Sequence, residues 1–412
     1  MTQKAQGTVI VCLIVLLALL SAPICPSYGE SVLATMERSR HAADFTLAQL
    51  QWHSAIHVEN EDELANLGFP GNGSQSNPYV IQDLNISAFG SSISMTKVSS
   101  HVLIRNCFLY SYGSPEGLAI HLSDVRNISI ESCTIVGNRF GIRVSNVSAV
   151  RIIGNRIYDA TGDEPFGMHP AYGLYMENSD LCTIAGNTVY ANYVGMELDS
   201  SDNCSIAGNT VYGNDGPGLD LSGSSENNTV SENIFGWNSR PVAPLDNAFD
   251  RGFNNTWSGN FWSDYVPPGP YNVSGSAGSQ DSDPNALVDT SPPVIDSPEM
   301  IYVAEGADVE IAWTTSDQFP LSYRILINDE PVIDGRTWTH SNVTFSLRDL
   351  SVGSFEVYLV VADAAGNVEA GSVPVAVLFI FLSDIGTNLV IMASIFSVLS
   401  VALVVYMIKR RP

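Results

Sequence analysis

The sequence predicts an all-β protein: a right-handed parallel β-helix, then a β-sandwich, then one C-terminal transmembrane helix. Three observations support this fold class. The string "CTIAGNTVYAN" at Cys182 recurs as "CSIAGNTVYGN" at Cys204, 22 residues later. Apolar residues alternate with polar ones in short strings that Asn and Gly interrupt. An uncharged apolar run of 20 residues extends from Leu389 to Ile408.

The repeat continues on both sides of this doublet, with insertions in the turns. Its six registers begin at Val102, Ile128, Val150, Cys182, Cys204 and Asn228. A period of roughly 20 to 50 residues indicates stacked coils, because one short unit cannot bury its apolar face alone. The alternation inside each register predicts two or three strands per coil, separated by tight turns. We therefore predict a parallel β-helix over residues 71–246.

Two ladders of asparagine are predicted at the turns between coils. One comprises Asn155, Asn187, Asn209 and Asn233, and the other Asn138, Asn192, Asn214 and Asn238. Asn tolerates the left-handed backbone conformation, and its amide can bond the amide one coil above, ~4.8 Å away. These asparagines are therefore predicted to be structural and not to bind sugar.

Four cysteines follow the predicted signal peptide and form two pairs on neighbouring coils. Cys107 and Cys133 share the asparagine column, and Cys182 and Cys204 share an inward column. The coil spacing places the Cα atoms of each pair roughly 4.8 Å apart, inside the range for a disulfide. An oxidising exterior permits the bond. The alternative is a reduced, buried cysteine ladder.

The N-terminal part carries a predicted signal peptide and a predicted cap. Residues 1–29 combine a basic start, an apolar run and small residues at the cleavage site, as secretory signals do, although an uncleaved anchor is the alternative. Residues 30–70 form an N-terminal segment that ends in a short helix. Asn60 and Glu63 have the spacing of a capping box. The helix is expected to cover the open end of the β-helix and prevent edge pairing.

Acidic residues dominate the composition. There are 43 Asp and Glu against 18 Lys and Arg, a formal net charge of −25. Phosphate binding needs a basic surface, so nucleic acid is excluded as a predicted partner. The exterior is expected to repel anions and to attract cations.

The C-terminal end predicts attachment to a membrane. Residues 386–408 are long and apolar enough to cross a bilayer as one helix. Residues 409–412 are basic and are expected to stay in the cytoplasm, so we predict a single-pass type I protein of the cell membrane with an extracellular ectodomain. Nine N-x-S/T sequons are candidate glycosylation sites: Asn72, Asn85, Asn127, Asn146, Asn203, Asn227, Asn254, Asn272 and Asn342.

Several strings carry a resemblance to a known group. "FPGNGSQSNPYVIQDLNIS" at Phe69, "SSHVLIRNC" at Ser99 and the coils resemble the parallel β-helix surface proteins of archaea. That group is similar to the NosD-like branch of the carbohydrate-binding and sugar-hydrolase β-helix superfamily. Residues 247–290 are the predicted closing cap and linker. Within them, the string from Asn247 to Pro284 resembles the NosD-like closing segment, with Trp257, Trp262, Asp264 and Tyr265 matching.

The resemblance covers residues 53–288 and implies the fold. It leaves the activity open, because the superfamily contains lyases, hydrolases, epimerases and non-catalytic proteins. NosD proteins proper are periplasmic and serve copper-site maturation. This sequence shows no cluster of Met, His and Cys that would indicate copper.

Residues 291–378 alternate strands and turns and predict a β-sandwich. The string "YLVVADAAGN" at Tyr358 resembles the immunoglobulin-like or fibronectin-like modules of bacterial and archaeal surface proteins. Its predicted core residues are Trp313, Tyr323, Trp338, Tyr358 and Val360. The predicted role is a spacer above the membrane, with a binding module as the alternative.

Residues that could carry chemistry lie on the predicted outward face of one strand family. One column is Ala119, Arg143, Tyr175, Glu197 and Asp220, and beside it run His121, Ser145, Glu177, Asp199 and Ser222. The insertion at residues 159–173 is expected to hang over this face with Asp163, Glu164 and His169. Such a composition is typical of a sugar-binding or lyase groove, and paired carboxylates could hold Ca²⁺ or act as acid and base.

The predicted roles divide as follows. The ligand-binding candidates are Tyr175, Glu177, Glu197, Asp199, Asp220, Asp163 and Glu164. A Ca²⁺ site is predicted at Glu197, Asp199 and Asp220, and no other cofactor is expected. The catalytic candidates are Glu197, Asp220, Arg143 and His169. The alternative is that these residues have no binding role and only face solvent. Outward positions of a strand are polar in any case, and an acidic chain supplies Asp and Glu at such positions.

Two functional hypotheses follow. The favoured one is a membrane-anchored surface protein whose β-helix binds glycans or a neighbouring surface protein without catalysis. The alternative is a polysaccharide lyase, epimerase or hydrolase, although the sequence has no Asp-Asp pair, Gly-His-Gly or Arg-Ile-Lys string.

Overall fold

The computed structural model describes residues 50–112, 117–137, 139–160, 171–239, 246–339 and 342–379. The predicted signal peptide and transmembrane helix lie outside these residues, as do Asn138, Asp163, Glu164 and His169. Within the described ranges, no helix is long and apolar enough to span a bilayer.

The chain winds into a parallel β-helix with three sheets, which confirms the predicted all-β coil architecture. The first sheet comprises Gln51–Trp52, Leu84–Phe89, Phe108–Tyr112, Thr134–Val136, Arg156–Tyr158, Thr188–Tyr190, Thr210–Tyr212, Ile234–Gly236, Phe261–Trp262 and Asn285–Ala286. The second comprises Ile56–Val58, Ile93–Thr96, Leu118–Ser123, Phe140–Ser145, Tyr172–Glu177, Val194–Asp199, Leu219–Ser222 and Ala248–Asp250. The third comprises Tyr79–Gln82, Val102–Arg105, Ile128–Glu131, Arg151–Ile153, Thr183–Ala185, Ser205–Ala207, Thr229–Ser231, Thr256–Ser258, Gln280–Asp281 and Tyr271–Asn272.

Inward columns of aliphatic side chains run through the coils in the predicted registers. Ile104, Ile130, Ile152, Ile184, Ile206 and Val230 stack in the third sheet. Leu109, Ile135, Ile157, Val189, Val211 and Phe235 stack in the first sheet. Each is completely buried. The columns continue into Trp257 and Trp262, whose ring centroids are 5.9 Å apart.

The asparagine ladders are confirmed for every predicted member within the described ranges. The backbone N–H of Asn187 donates to Oδ1 of Asn209 at 2.9 Å, and the side-chain amide of Asn187 donates to the same oxygen and to the carbonyl of Ile152. Asn192, Asn214 and Asn238 repeat this arrangement at the other turn. Their buried polar groups are therefore paired along the stack, which removes the cost of burying them.

The four cysteines are buried thiols that stack as predicted. The N–H of Cys133 donates to Oδ1 of Asn155, so Cys133 continues the asparagine ladder, and the next coil places Cys107 beside it. Cys182 and Cys204 form the second pair. All four are free in the structure, and disulfide formation within either pair stays a prediction.

The predicted cap is confirmed as the helix Glu61–Asn66. Asn60 accepts a hydrogen bond from the N–H of Glu63, and Glu61 accepts bonds from the backbone and hydroxyl groups of Ser99 and Ser100. These contacts fix the helix over the end of the coils. Two strands before the helix already pair with the solenoid sheets, so the coils begin at Gln51, ahead of the predicted residue 71.

Several sequons occupy one structural turn. Asn127, Asn203, Asn227 and Asn254 all have φ between 55° and 61°, in the turn one or two residues before a strand of the third sheet. The left-handed conformation by itself favours asparagine at these places. Asn85 is only 2% exposed, so its sequon is not accessible in the folded chain.

The C-terminal part forms two packed sheets. Val294–Asp296, Glu310–Ser316 and Val343–Ser346 make the smaller one, and Ile301–Ala304, Val368–Leu378, Gly353–Asp363, Pro320–Ile327 and Glu330–Thr337 the larger. Trp313 and Trp338 lie in their shared core, as predicted. The immunoglobulin-like assignment stays a prediction.

The predicted core positions of Tyr358 and Val360 are wrong. Both side chains are partly exposed, and Val357, Leu359 and Val361 point into the core instead. Side chains alternate along a strand, so an error of one residue moves the whole set to the other face.

The sandwich packs against the outer face of the first sheet. Tyr158, Tyr190 and Tyr212 stack on successive coils with ring centroids 5.2 and 5.1 Å apart. Phe319 of the sandwich meets Tyr212 at 5.4 Å and Trp237 at 5.0 Å. The tyrosine stack is thereby covered, while the outer face of the second sheet stays open at many positions.

Candidate functional site

The candidate residues lie on the outward face of the second sheet, which we call the open face. Its central column runs His121, Arg143, Tyr175, Glu197, Asp220 and Phe249. The neighbouring column runs Ser123, Ser145, Glu177, Asp199 and Ser222. The parallel register therefore brings most of the predicted ligand-binding residues together.

The predicted position of Ala119 is wrong. This residue is completely buried, and His121 occupies the place beside Arg143. The predicted register aligned Gly117 with Gly141. In the structure Ala119 takes that place, because Ile120 pairs with Ile142. A shift of two residues preserves the in-and-out alternation, so the apolar pattern could not detect it.

Three aromatic side chains form a cluster at one edge of this face. The rings of Phe140 and Tyr172 are stacked 5.4 Å apart, and the rings of Tyr172 and Tyr175 lie 4.9 Å apart. The guanidinium of Arg143 lies 5.4 Å from the ring centre of Phe140 and 5.8 Å from that of Tyr175. Cation–π attraction holds this arginine against the rings.

Phe140 and Tyr172 were not among the predicted site residues. Each directly precedes the glycine of its coil, in "FGIRV" and "YGLYM". That position is outward, and an aromatic residue recurring there on successive coils was the signal available. Phe249 and Arg251 were also missed, because they lie in the segment assigned to the cap.

Two carboxylates lie on adjacent coils beside the aromatic cluster. Oε1 of Glu197 accepts a hydrogen bond of 2.8 Å from the hydroxyl of Ser222, and the phenol of Tyr172 lies close to the same carboxylate. Oδ2 of Asp220 pairs with Arg251 at 2.8 Å. Oδ1 of Asp220 is buried and has no partner within the described part of the chain.

Burial changes the protonation of these groups. It raises the pKa of Asp220 to about 6, against the opposing effect of Arg251, and the nearby charge of Glu197 adds to the rise. Burial also raises the pKa of Glu197. Burial and the surrounding carboxylates raise the pKa of Tyr175 to about 12, so this tyrosine remains a hydrogen-bond donor at neutral pH.

The flanks of the face are also charged. Nη2 of Arg143 lies 3.5 Å from Oε2 of Glu177, with each side chain about a third exposed, while Nε of Arg143 is buried without a partner among the described residues. Burial and the charge of Arg143 lower the pKa of His121, which favours the neutral imidazole. Calcium binding by Glu197, Asp199 and Asp220 stays a prediction.

The open face combines the partly exposed rings of Tyr172 and Tyr175 and the buried ring of Phe140 with carboxylate acceptors and three guanidiniums. Its charged groups include four acids and three bases: Glu177, Glu197, Asp199, Asp220, Arg139, Arg143 and Arg251. The local charge is therefore negative. Such a surface can bind a ligand with one apolar face and several hydroxyl or amine donors.

Comparisons with known proteins agree with the solenoid architecture. The profile of the family described as "Periplasmic copper-binding protein (NosD)" matches residues 54–267, just over half of the chain. No curated protein matches the sequence.

Several solved structures are similar to the chain. The mannuronan C-5 epimerase AlgE4 A-module of Azotobacter vinelandii is 14% identical with a TM-score of 0.39, over 50% of this chain and 59% of the module. The alginate lyase of Paenibacillus sp. str. FPU-7 is 15% identical with a TM-score of 0.41, over 57% of this chain and 95% of the lyase. Pectate lyase Pel9A is 12% identical with a TM-score of 0.37, over 57% of this chain and 66% of the lyase. The chain thus covers less than two thirds of the epimerase module.

The described residues do not fit a copper centre of three or more ligands. Copper favours sulfur and imidazole donors. Met95, Met176 and Met196 are buried in the apolar core, and the cysteine thiols donate to backbone carbonyls. Across the described ranges, the group of three or more His, Cys, Asp or Glu side chains close enough to share a metal consists of aspartates alone.

The assignment to this family therefore depends on the coils and their closing segment, and not on a copper site. The matched residues include the ladders, the inward columns and both tryptophans of the closing segment. With more than half of its length matched, this chain belongs to the NosD family of parallel β-helix proteins.

Proposed function

We propose that the open face binds an extended polysaccharide without cleaving it. The observation that supports this most directly is the cluster of Phe140, Tyr172 and Tyr175 beside the hydrogen-bonded Glu197. A sugar ring offers an apolar face of C–H groups, which pack on the negative face of an aromatic ring. Its hydroxyls donate to carboxylates.

The charge of the face favours neutral or amine-bearing sugars over uronate polymers. Four carboxylates surround the rings, and the whole chain carries a net charge of −25. A polyanionic ligand would meet repulsion both at long range and at contact. Equivalent residues of the second sheet are aligned from coil to coil. Consecutive sugar units could therefore lie along successive coils, which are ~4.8 Å apart.

Binding measurements with the purified full-length chain test the proposal. Neutral, amino-sugar and uronate polysaccharides are compared at physiological salt, with no added divalent cation and with Ca²⁺. We expect binding of a neutral or amino-sugar polymer and about tenfold weaker binding, ~1.4 kcal/mol, for Tyr172→Ala or Tyr175→Ala. Tyr302→Ala is the matched control, because Tyr302 is an exposed tyrosine (52%) of the sandwich. A uronate polymer bound more tightly than every neutral or amine-bearing one would contradict the assignment.

The catalytic alternative has one observation in its favour. Burial raises the pKa of Asp220 to about 6 and also raises the pKa of Glu197, which lies one coil away, so two carboxyls with raised pKa values lie side by side where an acid and a base could act. New reducing ends or unsaturated products, abolished by Glu197→Ala, would replace the binding function with a lyase, epimerase or hydrolase activity.

We further propose that the β-helix and sandwich are displayed outside the cell from the predicted transmembrane helix. The apolar run Leu389–Ile408 and the basic residues after it support this location. Extraction of membranes at alkaline pH should leave the chain in the membrane fraction and release a variant that ends at residue 385.

A further inference from the structure

Phe249 lies on the open face, three coils from Tyr175. Both of its neighbours in the strand Ala248–Asp250 are buried, whereas Phe249 itself faces outward and is partly exposed. Asp220 pairs with it on the preceding coil, and Glu197 and Tyr175 follow on the two coils before that. Phe249 and Tyr175 therefore belong to one column and lie about 14 Å apart, at ~4.8 Å for each coil.

An arginine lies against an aromatic ring at both ends of this column. Cζ of Arg251 lies 5.0 Å from the ring centre of Phe249, and Cζ of Arg143 lies 5.8 Å from that of Tyr175. Each guanidinium also forms an ion pair with a carboxylate of the face. Cation–π attraction and the ion pair together fix the position of each arginine. The two ends of the column therefore have the same local arrangement.

Phe249 and Arg251 offer the two kinds of contact that a sugar needs. The C–H face of a sugar ring packs on the face of an aromatic ring. The side chain of Arg251 is 47% exposed, and its guanidinium has several N–H donors, of which the structure shows one bonded to Asp220. The other donors can reach sugar hydroxyls beside the ring. This pair can therefore bind a sugar unit as the aromatic cluster at the other end does.

Glu197 and Asp199 carry uncompensated negative charge between these two ends. Both side chains are partly exposed, and within the described part of the chain neither forms an ion pair. Asp220, in contrast, is paired with Arg251. A protonated amine supplies both a counter-charge and N–H donors, whereas a hydroxyl supplies a donor without charge. Charge complementarity therefore favours an amine-bearing sugar on this stretch of the face.

We propose that Phe249 and Arg251 form a second sugar-binding platform, and that the open face holds four consecutive units of an amine-bearing polysaccharide. One unit lies on each coil from Tyr175 to Phe249. The two end units stack on aromatic rings, and the units between them direct amines to Glu197 and Asp199. This inference rests on the polysaccharide binding proposed above and adds the length and the chemical class of the bound segment.

Oligosaccharides of defined length test the proposal on the full-length chain. Isothermal titration compares β-1,4-linked oligomers of glucosamine with two, four and six units, and the same oligomers of N-acetylglucosamine. We expect the affinity for glucosamine oligomers to rise about tenfold from two to four units and little from four to six, because the second platform then binds a unit that is already linked to a bound one. The N-acetylated tetramer should bind about tenfold more weakly, because acetylation removes the positive charge.

Variants of Phe249 locate the second platform. Phe249→Leu keeps an apolar side chain but removes the ring, so the affinity for the tetramer should fall about tenfold. The affinity for the dimer should not change, because the dimer binds at the Tyr175 end, where three rings lie against one at the other end. Phe249→Tyr should restore tetramer binding. Phe253→Leu is the matched control, since Phe253 is a 62% exposed phenylalanine in the turn before the third sheet.

The possible failures differ from one another. A tetramer that the native chain binds no more tightly than the dimer would overturn the four-unit site without the use of any variant. Tetramer binding that Phe249→Leu leaves unchanged would overturn the second platform, and equal affinity for the N-acetylated tetramer would overturn the amine assignment. The proposed polysaccharide binding would survive all three results if Tyr175→Ala weakens the dimer and the tetramer alike. No binding of any oligomer or polysaccharide would overturn both proposals.

Discussion

The solenoid carries aromatic side chains on two outer faces, and these two faces differ in their exposure to solvent. On the first sheet, Tyr158, Tyr190 and Tyr212 stack on successive coils and are each 1% exposed. On the second sheet, Tyr172 and Tyr175 are partly exposed and lie among charged groups. The same repeat therefore builds one face that is covered and one that stays open.

What differs between the faces is the surrounding residues and not the tyrosines. Threonines lie beside the first stack, and Phe319 and Leu321 of the sandwich close over it. Glu197, Asp220 and Arg251 lie beside the second. Covering ionised groups with an apolar module would cost their hydration, so charge keeps the second face open. A periodic aromatic residue on an outer face thus indicates a contact surface, and its neighbours decide the kind of contact.

Phe319→Ala should have the largest effect, because it removes the side chain that covers the first face. Phe319 is 2% exposed and meets two aromatic rings of the solenoid. We expect a loss of about 3–5 kcal/mol in the free energy that holds the sandwich to the solenoid. Denaturant unfolding followed by tryptophan fluorescence measures it. Phe261→Ala, at a 37% exposed phenylalanine, is the control. An unchanged unfolding curve for Phe319→Ala would show that the sandwich docks by other contacts.

Tyr190→Ala and Tyr175→Ala should have opposite effects on stability and on polysaccharide binding, because each tyrosine lies on a different face. Tyr190 is in the middle of the covered stack, so its removal should cost about 2–4 kcal/mol of unfolding free energy and leave polysaccharide binding unchanged. Tyr175 is partly exposed, so its removal should cost less than about 1 kcal/mol of stability and weaken binding. Thermal unfolding and polysaccharide affinity are measured on both variants. Equal losses of stability in the two variants would contradict the claim that one face is covered and the other is open.

The smallest effect concerns pH, because each face holds one carboxyl whose pKa is raised to about 6. Burial raises the pKa of Asp159, which touches Thr337 of the sandwich, and of Asp220 on the open face. A pKa raised from 3.8 means that the folded state binds the proton more tightly than the unfolded state. The resulting stabilisation is fully present below about pH 3.8 and is lost as the pH rises through about 6.

Melting temperatures between pH 4.5 and 7.5 test this prediction. Asp159→Asn and Asp220→Asn should each flatten part of the decline in stability between pH 5 and 7. Polysaccharide binding should weaken as Asp220 is protonated, since the carboxyl loses the negative charge that strengthens its hydrogen bonds to sugar hydroxyls, and Asp159→Asn should leave that pH dependence unchanged. A binding profile that is flat between pH 5 and 7.5 would mean that Asp220 does not contact the ligand.

Part of the candidate site could be predicted from the sequence. Arg143, Tyr175, Glu197 and Asp220 form one column because successive coils repeat with the same in-and-out alternation. Ala119 was misplaced because a longer turn shifts one coil by two residues without disturbing that alternation. Arg251 was missed because its contact with Asp220 spans 31 residues and follows no repeat.

The solenoid, its stacked columns and its asparagine ladders could all be predicted from the amino-acid sequence. Each of these depends on a short repeat whose period the letters display directly, and each coil is constrained by its copy above and below. The outer face that the sandwich covers, and the close approach of Asp289, Asp317 and Asp363, are visible only in the folded chain. Those contacts join segments that are far apart in the chain and unlike in sequence. These contacts depend on how side chains pack in three dimensions, and no local sequence pattern predicts that packing.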